Sequence, residues 1–145
     1  MENIQFNIPD GYVIDESAST KTIRIYKKIE QKITDRVKTF ADACSVLGIN
    51  QDIFSVSDTK DERAYKMLKV IIKALNEGWK PNWEDNQAKW YPYFKYGCSG
   101  FGFSGSDYYY DCARTVIGSR LCFKSEKLTK YEGLQFIEIY KDYLT

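Results

Sequence analysis

The chain of 145 residues contains no histidine, three prolines and two methionines. It has no apolar run near the roughly 18 residues that a membrane span requires. Without an imidazole, neither a Ser-His-Asp nor a Cys-His nucleophile can be assembled, and no metal can be held by histidine. An excess of one charge is missing too. The 21 basic and 20 acidic residues leave +1, so no global attraction to nucleic acid or anionic membrane is expected. The stretch Met1 to Gly11 carries Glu2 and Asp10 and has no basic or apolar leader region, which argues against a signal peptide. The four cysteines, Cys44, Cys98, Cys112 and Cys122, form no C-x-x-C pair. They are expected to be reduced, partly buried thiols in a cytoplasmic protein, with a Cys98–Cys112 bridge as the lesser alternative. No metal site and no cofactor is expected.

A chain of this length suits one domain, residues 1–145, burying roughly 68–70% of its unfolded surface. Within it, residues 1–38 read as short strands and a basic segment, and residues 39–145 as helices around an aromatic meander. Ile4, Phe6 and Ile8 alternate with polar residues, and Pro9-Asp10-Gly11 reads as a turn. Tyr12–Ile14 and Thr22–Tyr26 are further short strands. Lys21 to Lys38 holds seven basic and two acidic residues, a balance of +5 against −4 for the rest. Lys27, Lys28, Lys32 and Arg36 in this strip are candidate phosphate contacts; a solvated strand edge blunted by lysine is the plainer alternative.

Three helices are predicted. Thr39-Phe-Ala-Asp42 resembles a capping box for a short helix from Phe40 to Leu47, stopped by Gly48. Asp58 or Thr59 caps a helix over Lys60–Glu77, whose apolar stripe is Ala64, Met67, Leu68, Ile71, Ile72 and Leu75. Ser125 caps a helix to Leu144 that is apolar over much of its circumference, as a helix buried on two sides would be. Its remaining positions, including Glu132, are assigned to solvent.

Between the two long helices, 45 residues from Trp79 to Phe123 hold 13 of the 23 aromatics and five of the nine glycines. Alternating aromatics broken by glycine predict an antiparallel meander with strands near Trp90–Tyr96, Phe101–Ala113 and Ser119–Lys124. The expected fold is therefore α+β: an aromatic-rich antiparallel sheet of about four to five strands, packed by two main helices and a short one. Gly100-Phe-Gly-Phe-Ser-Gly105 matches G-x-G-x-x-G, but no helix follows to receive a pyrophosphate. The glycines are read instead as serving a turn and close packing.

Strand alternation places Trp90, Pro92, Phe94 and Tyr96 on one face, and Tyr91, Tyr93 and Lys95 on the other. It likewise separates Tyr109 from Tyr108 and Tyr110. An antiparallel sheet often covers one face only, so a tyrosine cluster would mark a contact surface. The candidate binding residues are Trp79, Trp83, Trp90, Tyr91, Tyr93, Tyr108 and Tyr110. Trp79 and Trp83 flank Pro81 and could form a platform for a ring, or could fold onto the core. The carboxylate pairs Glu84/Asp85 and Asp107/Asp111 do not suit acid–base chemistry. Two carboxylates four apart on a strand lie roughly 13 Å from each other, beyond the about 5–9.5 Å of a glycosidase pair.

Three strings are distinctive: Ala74-Leu-Asn-Glu-Gly-Trp-Lys-Pro-Asn-Trp83, Lys89-Trp-Tyr-Pro-Tyr-Phe94, and Gly118-Ser-Arg-Leu-Cys-Phe-Lys-Ser125 with Tyr140-Lys-Asp-Tyr143. In these the chain resembles a family of small uncharacterised proteins encoded by gut Bacteroidales bacteria, their phages and mobile elements. The likeness spans about Thr39 to Leu144, and Ile8 to Asp15 is similar to that family's opening. It brings no established activity, cofactor or catalytic residue. It implies a setting in which small non-enzymatic proteins act as virion components, nucleic-acid accessories or inhibitors of host defence.

The sequence thus points to a non-enzymatic binding or assembly protein of the host cytoplasm or the virion. Its expected partner is another protein or a second copy of itself, with no membrane contact. Single-stranded nucleic acid is the second choice, since stacking aromatics interleaved with cations would suit it. A glycan or small molecule held under Trp79 and Trp83 is the third.

Overall fold

The computed structural model describes residues 7–21, 23–98, 100–109 and 120–145. Their contacts divide into two compact units, Met1–Lys32 and Ile33–Thr145. The first unit is a small antiparallel ribbon of β1 (Tyr12–Ile14) and β2 (Tyr26–Lys28), in which Tyr12 pairs with Lys28 and Ile14 with Tyr26. Asp15 organises its loop. One carboxylate oxygen accepts from the Ser17 and Ala18 amides and from the Ser17 hydroxyl, at 3.2, 3.3 and 2.6 Å, an Asx-type turn. The second strand lies later than predicted, and the segment Ile4 to Phe6 lies outside the described residues.

The second unit begins with α1 (Ile33–Arg36) and α2 (Phe40–Leu47). The Thr39 hydroxyl accepts from the Asp42 amide at 3.1 Å, and the Asp42 carboxylate accepts from the Thr39 amide at 2.8 Å. Gly48 ends α2 with a left-handed φ of 64°, a conformation that glycine adopts without penalty. A second capping box, Thr59 with Glu62, starts α3 (Lys60–Leu75). Its predicted stripe is the face that enters the core: Ala64, Leu68, Ile71, Ile72 and Leu75 are buried.

After α3, Asn76 acts as a buried clamp. Its side-chain amide donates to the Cys122 carbonyl at 2.9 Å, and its side-chain oxygen accepts from the Lys124 amide at 3.1 Å. Glu77 and Gly78 then turn the chain with φ of 50° and 86°. β3 (Lys89–Gly97) and β4 (Gly100–Tyr109) form a long antiparallel hairpin with a register shift after Tyr93.

The expected sheet of four to five strands is not formed; the described strands make two separate two-stranded sheets. The ribbon strands pair only with each other. The segment near Phe123 contributes one bridge, to Trp90; the next β3 residue in that register is Pro92, which has no N–H to donate. The nucleotide-motif glycines lie within β4, so no helix N-terminus follows them.

The last predicted helix is also divided, into α4 (Glu126–Gln135) and α5 (Ile137–Leu144). The break falls at Phe136, whose φ of −113° and ψ of 27° leave the helical region. This bend lets the two halves serve different neighbours. α5 lies against α3, with Tyr143 stacked on Tyr65 at 5.6 Å. α4 lies against the hairpin. The core of this unit joins Val37, Leu68, Ile71, Leu75, Phe123, Leu128, Phe136 and Tyr140.

Gly133 fixes the distance between α4 and the hairpin. A Cβ there would lie 2.5 Å from two Phe103 ring carbons and 3.3 Å from the Pro92 Cβ. Replacing Gly133 with alanine gains about 1 kcal/mol of helix propensity but forces a methyl group into that ring, and overpacking typically costs about 1–3 kcal/mol. Gly133→Ala is therefore expected to lower the thermal midpoint. Gly102→Ala, where a Cβ meets open space, should not. Calorimetry of both variants checks this, and an unchanged or raised midpoint for Gly133→Ala would contradict the packing described.

Candidate functional site

The β3–β4 hairpin carries most of the candidate aromatics and sorts them onto two faces. Pairing in register places Trp90 opposite Tyr108, Pro92 opposite Ser106, Phe94 opposite Phe103 and Tyr96 opposite Phe101. This is the inner face. Trp90 and Tyr108 have ring centroids 4.6 Å apart, and Phe94 stacks on Phe101 at 5.1 Å and meets Tyr140 of α5 at 4.4 Å. The outer face holds Tyr91 opposite Asp107, Tyr93 opposite Gly105 and Lys95 opposite Gly102. Tyr93 is 51% exposed there.

The predicted binding residues therefore do not share one surface. Tyr91 and Tyr93 lie on the outer face. Trp90 is half-buried on the inner face, and Tyr108 is 39% exposed at its margin. Tyr110 lies outside the described residues. Tyr96, which composition alone did not single out, is 73% exposed near the hairpin tip. Its position one residue before Gly97 was the available signal. Cys98, in the same turn, is exposed and free; Cys112 lies outside the described residues.

Trp79 and Trp83 belong to the loop that precedes β3, and both are half-buried. The Trp79 indole N–H donates to the Gln87 side-chain oxygen at 3.2 Å. Trp83 lies over the Lys89 ammonium at 5.6 Å. Lys89 organises this loop although it is only 1% exposed. Its ammonium donates to the Asp85 backbone carbonyl and to the Asp85 carboxylate, each at 2.9 Å. Hydrogen bonds from Lys89 and from the Gln87 amide hold the Asp85 carboxyl below its ordinary range. A buried cation without such partners would be costly, so Lys89 and Asp85 specify how the loop folds. Lys89 opens the string Lys89–Phe94, and nothing local in that string marks it as buried.

The basic strip is divided by the boundary between units: Lys27, Lys28 and Lys32 belong to the first, and Arg36 to α1 of the second. Lys27 stands 3.9 Å from the Asp15 carboxylate. Of the carboxylate pairs, Asp85 is committed to Lys89, and Asp111 lies outside the described residues. Among the described residues, no three His, Cys, Asp or Glu side chains gather as a metal-binding group. No helix among the described residues is long and apolar enough to cross a membrane. Searches against protein-family models, curated proteins and solved structures find no match to this chain.

The largest departure from sequence expectation is Glu132, which was assigned to solvent. It is 0% exposed on α4, and neither carboxylate oxygen has a hydrogen-bond partner; the buried Tyr140 hydroxyl has none either. Burial pushes the Glu132 carboxyl well above its ordinary range, and the nearby Tyr140 hydroxyl offsets part of that shift. Burial and the neighbouring Glu132 push Tyr140 up as well. Glu132 stands four residues from both Leu128 and Phe136 and eight from Tyr140, all buried, so helical spacing places it on the face that enters the core.

Because its folded value lies above its unfolded value of about 4.3, Glu132 holds its proton more tightly in the folded state. Its contribution to stability is complete below the unfolded value and is lost as pH rises toward the folded one. Glu132→Gln removes the charge at nearly constant shape. The stability of the variant relative to the parent should be nearly constant below pH about 4 and increase by at least about 1 kcal/mol by pH 8. Urea titrations across that range test this, and parallel curves for the two proteins would contradict it.

Proposed function

We propose that the protein is a non-catalytic binding or assembly protein whose β3–β4 hairpin makes the contact. The observation that carries this reading is the division of the hairpin into two unlike faces. The inner face packs on α4 and α5, with Tyr96 and Tyr108 at its two ends left exposed. The outer face holds Tyr91 and the exposed Tyr93 beside two glycines, one exposed cation and one anion. Tyrosine-rich, charge-poor surface is the composition of protein contact sites. The likeness to proteins of gut Bacteroidales and their mobile elements suggests a phage or mobile-element setting, in the host cytoplasm or the virion.

Protein contact is favoured over the alternatives by specific features. A single-strand groove needs cations interleaved with its stacking rings, and the outer face exposes Lys95 alone, since Lys89 is buried against Asp85. A sugar platform needs indoles that face a cleft, whereas Trp79 and Trp83 engage Gln87 and Lys89 of their own loop. An enzyme would need convergent reactive groups, and the hairpin face supplies no such set.

The test is a photo-reactive amino acid at position 93 of the full chain, in the cells that make the protein. A discrete protein adduct is expected there, and none from the same group at Lys73 on the exposed side of α3. The purified chain should not bind an oligonucleotide at low salt. No adduct at position 93, or oligonucleotide binding that weakens steeply with salt, would overturn the proposal.

A further inference from the structure

Gly102 and Gly105 are not required by the fold that contains them. The left-handed φ values occur at Gly11, Gly48, Gly78 and Gly100, not at these two. A Cβ at either would meet nothing within 4 Å. Glycine in a strand interior lacks a packing side chain and weakens the strand relative to alanine. Such a glycine often marks a bulge or the close approach of something outside the strand. Gly105 borders the register shift opposite Tyr93 and Phe94; close approach is the reading left for Gly102 and open to both. Both lie on the outer face, so β4 presents a low row, Gly102, Gly105 and Asp107, beside the high row Tyr91, Tyr93 and Lys95 of β3.

We infer that the occupant of this low row is the high row of a second copy of the same chain. This rests on the reading of the hairpin as the contact element and names its partner. The register supplies the reason. A twofold axis running parallel to the strands, between two outer faces, superimposes each β3 residue on the β4 residue with which it pairs. Tyr93 then covers the Gly105 of the other copy, the Lys95 stem covers its Gly102, and Tyr91 covers its Asp107. No like charges meet, because the single exposed cation, Lys95, stands over glycine and the single anion under a phenol, Lys89 being buried against Asp85. A perpendicular axis would instead set tyrosine on tyrosine and glycine on glycine. Glycine beneath tyrosine allows two sheets to approach at the usual spacing of about 10 Å without side-chain collision.

The face is about 20 Å long and about 10 Å wide, so each copy contributes a few hundred Å². That places the dimer among weak, concentration-dependent assemblies. Sedimentation velocity of the full chain from about 10 µM to about 1 mM is the test, a range that spans such affinities. The parent should shift from monomer toward dimer. Gly105→Val fills the low row with a strand-favouring side chain in open space. It should keep the fold and its thermal midpoint while weakening association at least tenfold. Tyr93→Ala should do the same.

Two results overturn the inference: a parent that stays monomeric to about 1 mM, or a Gly105→Val protein that dimerises like the parent. The cellular crosslink separates the layers. A monomeric parent whose position 93 still captures a different protein refutes the self-pairing alone. A chain that neither dimerises nor crosslinks at that position refutes the hairpin as a contact element as well.

Discussion

The architecture of residues 33–145 depends on one close contact, the approach of the Phe103 ring to Gly133. A helix and a two-stranded hairpin normally keep a side chain between them. Here that side chain is absent, and the ring occupies its place. The hairpin's inner aromatics can therefore reach past α4 to Tyr140 on α5. An isolated hairpin is at best marginally stable in water. This one is held by the glycine seat on one side and by the Trp90–Phe123 bridge on the other. What the seat consumes on the inner face leaves the outer face to interact elsewhere.

Polar groups placed inside the same unit specify its connections. Asn76 joins the end of α3 to the segment before α4, and Lys89 gathers the tryptophan loop through Asp85. Both are satisfied, so they fix geometry at little cost. Glu132 is the exception. A buried carboxyl beside Tyr140 without a hydrogen-bond partner, pushed by burial above its ordinary range, makes the unit's stability decline as the solution becomes more alkaline.

Local chemistry was legible in the sequence wherever it acts over a few residues. Both predicted caps at Thr39 and Thr59, the Gly48 stop and the α3 stripe follow from side chains that meet within one or two turns. Strand alternation separated Tyr91 and Tyr93 from Trp90 and Phe94, because a strand admits only two faces. What could not be read depends on contacts distant in sequence. The place of the segment beside β3 is set by Asn76 anchoring it through Cys122 and Lys124 across 46 and 48 residues. The burial of Lys89 is set by a loop closing over it. In each case an ordinary polar residue takes its role from where the chain returns, not from its neighbours.

The account stands on Gly133 and Phe103 meeting in solution, since the orientation of the hairpin and the freedom of its outer face follow from it. Nuclear Overhauser spectroscopy on the full chain, with Phe103 and Gly133 labelled, reads this contact directly. Strong cross-peaks are predicted between the Gly133 α-protons and the Phe103 ring, with none from the Tyr93 ring to α4. Cross-peaks from Tyr93 to α4, with no Gly133–Phe103 contact, would mean that the hairpin seats its other face and would contradict the account.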